Sequence, residues 1–254
     1  MSSTVFLARA VRREPFIVIG AIALLTAVSW LYSFESSGSL VHGMAQPWTA
    51  SELVLSFLMW SIMMVGMMLP SATSMVLTYS AMTRRGEAEG ALARTALFVV
   101  GYIVVWSGYS ALAAVLQSAA QSFALWSCAD MAVAPAVSAG LLIAAGVFQW
   151  TPLKEACLRG CRTPLGFLVA EWRSGSRGAL VMGIRHGLNC MGCCWAIMAL
   201  LFVVGTMNLA WMAVLTVLCW VEKAAPGGHL IGRLSGLGLV LWGSWIAVGQ
   251  MLVG

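Results

Sequence analysis

Between His186 and Trp195 the chain reads H-G-L-N-C-M-G-C-C-W, in the middle of a long apolar run. At about 100° per residue, Cys190, Cys193 and Cys194 fall on one face of a helix, with His186 one turn below Cys190. Three thiols and an imidazole on one stripe are a soft donor set. A second stretch carries Met59, Met63, Met64, Met67, Met68 and Met75. Four of these, Met63, Met64, Met67 and Met68, lie within about 140° of one another around the helix, and Pro70, Ser71 and Ser74 share their sector. Thiolate and thioether select copper(I), whereas zinc and iron are better served by several thiolates or imidazoles with satisfied outer shells. Neutral thioethers also line a path through hydrocarbon without the charge penalty of Asp or Glu. The residues therefore predict a copper(I) site made of Cys190, Cys193, Cys194, His186, Met63, Met64, Met67 and Met68. Met59, Cys157 and Cys161 are secondary candidates, and Asn189 is a further ligand or an outer partner.

These residues need a membrane to position them. Of 254 residues, 61% are apolar and only 9% charged, which excludes a soluble surface. The seven cysteines are an odd set placed mostly in apolar runs, so a secreted disulfide framework is not expected. A net charge of +5 needs no nucleic acid to explain it. The expected fold is all-α, a single integral membrane domain over 1–254 built as a polytopic transmembrane helix bundle of about seven spans. The count falls to six if the short sixth span and its neighbour form a re-entrant pair.

The first span is expected over Phe16 to Phe34, after an arm with Arg9, Arg12 and Arg13; it exceeds the apolar length of a signal peptide. The second runs from Leu53 to Met82, with Ser71 or Ser74 making good the donor lost at Pro70. The third covers about Thr95 to Leu116 and the fourth about Met131 to Trp150. Residues 151–178 are expected as a cytoplasmic loop with a short interfacial helix from Pro152 to Cys161, capped by Thr151. The fifth span begins near Ala179, the sixth stops at Glu222-Lys223, and the seventh runs from Leu230 to Val253. Gly232 and Gly236 on that last span offer one small-residue contact face.

Twelve of the 14 Lys and Arg residues fall in the N-terminal arm and the loops after spans two, four and six. The positive-inside rule then places the N-terminus in the cytoplasm. In that orientation Met63 lies roughly 15 Å below the outer boundary and Cys190 roughly 16 Å above the inner one, so both stripes reach the midplane.

Packing alone also accounts for many of these residues. Methionine fills apolar cores, and buried cysteine behaves as a small hydrophobe. Cys157 and Cys161, four residues apart, are a metal docking point or plain surface thiols. Arg185 snorkels to the cytoplasmic face, and Glu222-Lys223 form an interfacial pair. Cys128, Cys219, His42 and His229 stand alone as structural residues. Trp48, Trp126 and Trp150 are expected as interface anchors.

Several of these stretches together resemble a known bacterial family. They are Met59-Trp60 through Pro70, Gln149-Trp150-Thr151-Pro152-Leu153-Lys154 with Cys157 and Cys161, Gly187 through Trp195 to Met207-Asn208, and Glu222-Lys223. The family is described as predicted metal-binding integral membrane proteins, domain of unknown function 2182. The resemblance covers roughly Leu53 to Gly243 and implies a multi-pass protein of the bacterial inner membrane with a metal role.

Three functions follow as expectations. The first is a copper(I) binding protein acting in metal transport or delivery, embedded in lipid, with a metallochaperone or a client metalloenzyme as partner and no nucleic acid. The chain carries no G-x-x-x-x-G-K-[ST] phosphate loop, so no nucleotide cofactor is expected. The second is a transmembrane thiol-disulfide electron carrier, in which Cys157 and Cys161 receive electrons. The third is a structural membrane scaffold whose sulfurs only pack. No enzymatic activity is assigned.

Overall fold

The computed structural model describes residues 2–39, 49–86, 89–127 and 132–253, with side chains over 15–36, 49–86, 89–126 and 132–252. His42, Trp48 and Cys128, and the side chains of Arg9, Arg12 and Arg13, lie outside this set.

Helix α1 spans Ser2–Ser39, so the N-terminal arm continues the first span. Helix α2 runs Ala50–Gly86 and α3 Ala91–Ser122. A small antiparallel pair follows, β1 (Trp126–Ser127) with β2 (Ala132–Val133). Then come α4 (Pro135–Phe148), α5 (Pro152–Arg162), α6 (Pro164–Glu171), α7 (Gly175–Ala199), α8 (Leu201–Val204), α9 (Leu209–Ala224) and α10 (Gly228–Val253).

Five segments are long and apolar enough to cross a membrane: Pro15–Ser36, Ala50–Gly86, Ala91–Ser122, Gly175–Val204 and Gly228–Leu252. These define an all-α, multi-pass membrane protein. The expected fourth span is instead α4, only 14 residues long, which turns by 65° into α5. Taken as one broken span, this pair raises the total to six. The expected sixth span is α9, whose 16 residues rise about 24 Å against a hydrocarbon layer of about 30 Å.

Helix α2 is the buried centre. Six of its seven methionines, all but Met82 near its end, are 2% exposed or less, and Leu69, Ala72 and Val76 on the other side are equally covered. The apolar side is covered by α1, which packs on α2 at Gly66. A methyl group there would meet Ser29 Cβ at 2.9 Å, so only glycine lets α1 come this close. The contact also resolves Pro70. Proline removes the N–H that would bond to the Gly66 carbonyl four residues back. That carbonyl accepts the Trp30 indole N–H at 3.2 Å, so the missing donor comes from α1 rather than from Ser71 or Ser74.

Helix α3 packs on both α2 and α7. Gly101 and Gly183 allow the backbones of α3 and α7 to touch: a methyl at Gly183 would fall on the Phe98 carbonyl, and one at Gly101 on the Leu180 carbonyl. Helix α10 packs on α4, where Gly236 meets the Gly146 carbonyl; a methyl on Gly236 would lie 2.8 Å from it. The small-residue face expected on the last span is thus a helix contact.

Helix α5 does not lie flat against the outside of the bundle. Thr151 caps it by accepting the Lys154 N–H at 3.3 Å, with Pro152 in the first turn, as its sequence signals. Its face formed by Lys154, Leu158 and Cys161 is buried. Gly160 abuts the Asn189 amide and Gly192 abuts Cys157 Sγ, so α5 presses into α7 through two glycines.

Candidate metal centre

The close approach of α5 to α7 gathers sulfur. Cys190, Cys193 and Cys194 are each 1% exposed and lie on the inner face of α7. Cys193 Sγ is 3.3 Å from Cys194 Sγ and donates to the Cys190 carbonyl at 3.2 Å. Cys161 of α5 lies near the thiols of Cys190 and Cys193. Cys219 of α9 has Cys194 as its partner, and Cys157, at the edge, interacts electrostatically with Cys194. Six free cysteines thus lie on α5, α7 and α9, linked pair by pair rather than around one point.

Cys219 was expected to stand alone; the fold makes it one of them. The available signal was its position four residues before Lys223, on the same face of α9. Glu222 and Lys223 are not an interfacial pair either. Both are buried, and they point to different partners. Lys223 donates to Cys190 Sγ at 3.0 Å and to Ser71 Oγ at 2.8 Å. Glu222 pairs with Lys154 of α5 at 2.6 Å and accepts from Gln149 Nε2 at 3.3 Å. Gln149 also receives a hydrogen bond from Lys154 and donates to Ser235 Oγ at 3.1 Å. This buried network pins the α4–α5 bend to α9 and α10.

The methionine stripe meets the thiols through an intermediary. Among the described elements, α2 and α7 show no extended backbone packing, because α3 lies against both. Tyr102 of α3 bridges the gap: its hydroxyl donates to the Met68 carbonyl at 3.0 Å and lies 3.1 Å from Cys190 Sγ. At the other end Trp60 stacks on Phe202 at 5.0 Å. Residue 60 beside 202 and residue 68 beside 190 fix an antiparallel arrangement. Cys190 is thus level with Met68 and Ser71 instead of Met63, a shift of five residues or about 7.5 Å.

His186 is 2% exposed and sits among Phe98, Tyr102 and Phe167, with ring centroids 6.0, 5.6 and 5.7 Å away. Its Nδ1 has no hydrogen-bond partner. Arg185, next to it, is exposed and paired with Glu171. Trp126 is buried edge-on against Phe202 at 6.0 Å, so it serves the core, whereas Trp150 is 44% exposed.

Among the described residues, no three His, Cys, Asp or Glu side chains converge as a closed three- or four-ligand centre requires. The donors are nonetheless soft ones, thiols and thioethers. Cys193 and Cys194 touch, neutral thioethers fill α2, and Lys223 brings an ammonium to Cys190. Two touching thiolates suffice for copper(I), which accepts two sulfur ligands in line, while zinc needs four donors.

Fold and site together define a multi-pass helical membrane protein with a buried thiol cluster beside a methionine-lined helix. Residues 57–246, three quarters of the chain, match the family model PpoB2, described as copper chaperone. The chain belongs to that copper chaperone family. No curated protein and no solved structure matches it.

Proposed function

We propose that the protein is a membrane-embedded copper(I) chaperone that holds the ion on its buried thiols and hands it to a partner protein or across the bilayer. One observation carries this reading: α5, α7 and α9 bury five thiols in the same part of the bundle, two of them in contact, near a helix with six buried methionines. Cys190, Cys193 and Cys194 are the resident ligands, and His186, with its free Nδ1, is a reserve donor one turn away. Met63, Met64, Met67 and Met68 offer neutral sulfurs along α2 toward the end marked by Met59. Exchange between neighbouring sulfurs lets the ion be held without being trapped.

The finer topology belongs to the same proposal. The N-terminus is cytoplasmic by the distribution of basic residues, in the bacterial inner membrane by the family resemblance. A reporter fused after Gly254 and active only in the periplasm tests the seven-span version, in which that end lies outside.

The functional test is anaerobic purification of the full chain with copper(I), followed by metal analysis. Copper is expected to co-purify, and a Cys190→Ser, Cys193→Ser, Cys194→Ser protein to lose most of it. Unchanged stoichiometry in that variant refutes the reading. The contact of Cys193 with Cys194, with Cys161 near Cys190, also suits a thiol-disulfide relay. Trapping of a mixed disulfide on Cys190 or Cys193 in metal-free protein would favour that alternative.

A further inference from the structure

A cleft of about 370 Å³ opens between α2, α9 and the junction of α5 with α6. Its wall includes Ser71, Ser74, Cys161, Arg162, Trp220 and Lys223. Two of these, Cys161 and Lys223, are also at the thiol cluster: Cys161 lies near Cys190 and Cys193, and Lys223 Nζ is 3.0 Å from Cys190 Sγ. The cleft therefore leads from the outside of the bundle to the sulfurs. Resting on the copper reading above, we propose that this cleft receives copper(I) as an anionic complex with a small carboxylate-bearing thiol, and that Cys161 is the first thiol to take the ion.

Size and charge set the ligand class. A bare ion needs almost no room, while a space of this volume is that of a small-molecule site. Among the described residues, the wall carries hydroxyls and two cations and no Asp or Glu. Arg162 is held at the rim by donating to the carbonyls of Ala225 at 2.6 Å and Pro226 at 3.0 Å. Copper(I) bound by two thiolates has one negative charge, and carboxylates on the carrier add more. Such a complex is drawn to Arg162 and Lys223, whereas a free cation is repelled. Polar residues that would be costly against lipid mark a path for a polar cargo.

The transfer is a ligand exchange with no change of oxidation state. The Cys161 thiol forms a copper–sulfur bond as one carrier–copper bond breaks, and its proton leaves on the released carrier thiol. Cys190 repeats the exchange and frees the second carrier. The product is copper held between two thiolates, and its single negative charge lies against the Lys223 ammonium. That gives the buried lysine a counter-charge, which a cation away from water requires.

The test uses the full chain in detergent without oxygen and measures the rate of copper uptake as a fraction of each protein's final copper content. The probes are copper(I) complexed with glutathione, which is anionic, and with cysteamine, which is cationic. The wild type is expected to load about tenfold or more faster from glutathione, with the advantage shrinking as salt rises. Cys161→Ser removes the first acceptor. Ser74→Trp narrows the mouth and touches no sulfur. Each is expected to slow loading from glutathione about tenfold. Wild-type rates in either variant, or equal wild-type rates from the two probes, would overturn the proposal. A wild-type protein that takes up copper from neither probe would instead overturn the copper function itself.

Discussion

The ammonium of Lys223 lies 3.0 Å from the sulfur of Cys190, joining the end of α9 to the middle of α7 deep inside the bundle. The same nitrogen donates to Ser71 Oγ at 2.8 Å, just past the proline of α2. One side chain therefore ties the methionine helix, the thiol helix and α9 together. Under the copper(I) proposal, its charge complements a copper dithiolate.

Replacing Lys223 with methionine keeps the volume and removes the charge. Copper(I) affinity is expected to fall by about ten- to a hundredfold, the loss of one charge-assisted contact of about 1.5–3 kcal/mol. Competition with a chromogenic copper(I) chelator measures it, and an unchanged affinity would show that the ammonium does not face the bound ion.

The buried pair of Lys154 and Glu222 supports the bend between α4 and α5. Replacing Glu222 by Gln leaves Lys154 without its counter-ion and is expected to cost about 3–5 kcal/mol. The double variant Lys154→Met, Glu222→Met should recover most of that loss, since an apolar pair of similar size is often neutral. Thermal unfolding in detergent reads both. Additive losses would mean that the two charges act independently.

Trp30 supplies the hydrogen bond that Pro70 forfeits. Trp30→Phe keeps the ring contact with Gly66 but orphans its carbonyl, with an expected loss of about 1–3 kcal/mol. In a Pro70→Ala background the restored amide can serve that carbonyl, so the same Trp30→Phe change should cost less. Equal losses in both backgrounds would disprove the substitution of one donor for the other.

Gly183 is where α7 touches α3. Gly183→Ala forces the two backbones apart, with an expected cost of about 1–3 kcal/mol or more. It also draws Tyr102 away from Cys190, so the cysteines should react faster with a membrane-permeant maleimide. Gly20→Ala, where a methyl meets nothing within 4 Å, is the control and should leave both readouts as they are.

Much of this architecture is written in local patterns. Runs of apolar residues with few charges specify membrane helices, because each backbone amide in hydrocarbon must find its partner within its own segment. Thr151-Pro152 begins a helix because a hydroxyl and a ring suit the first turn, and α5 starts there. Helical periodicity put Met63, Met67 and Met68 on one side, but α2 is buried on the opposite side as well, where α1 covers Leu69, Ala72 and Val76. Periodicity also put Cys190, Cys193 and Cys194 together, since residues three and four apart are neighbours on one helix.

What local pattern leaves open is which helix covers which face. Cys161, Cys219 and Lys223 reach Cys190 and Cys194 only because α4 turns by 65° into α5, folding it inward, and because α9 ends beside Ser71. The same holds for Tyr102, whose hydroxyl reaches across from α3 to a thiol 88 residues later. Such contacts depend on glycines that let backbones touch and on buried charges that find partners far along the chain. The chain by itself therefore settled that soft donors line two helices. Only the packing of α3, α5 and α9 around them decided which thiols meet, at what height, and beside which charge.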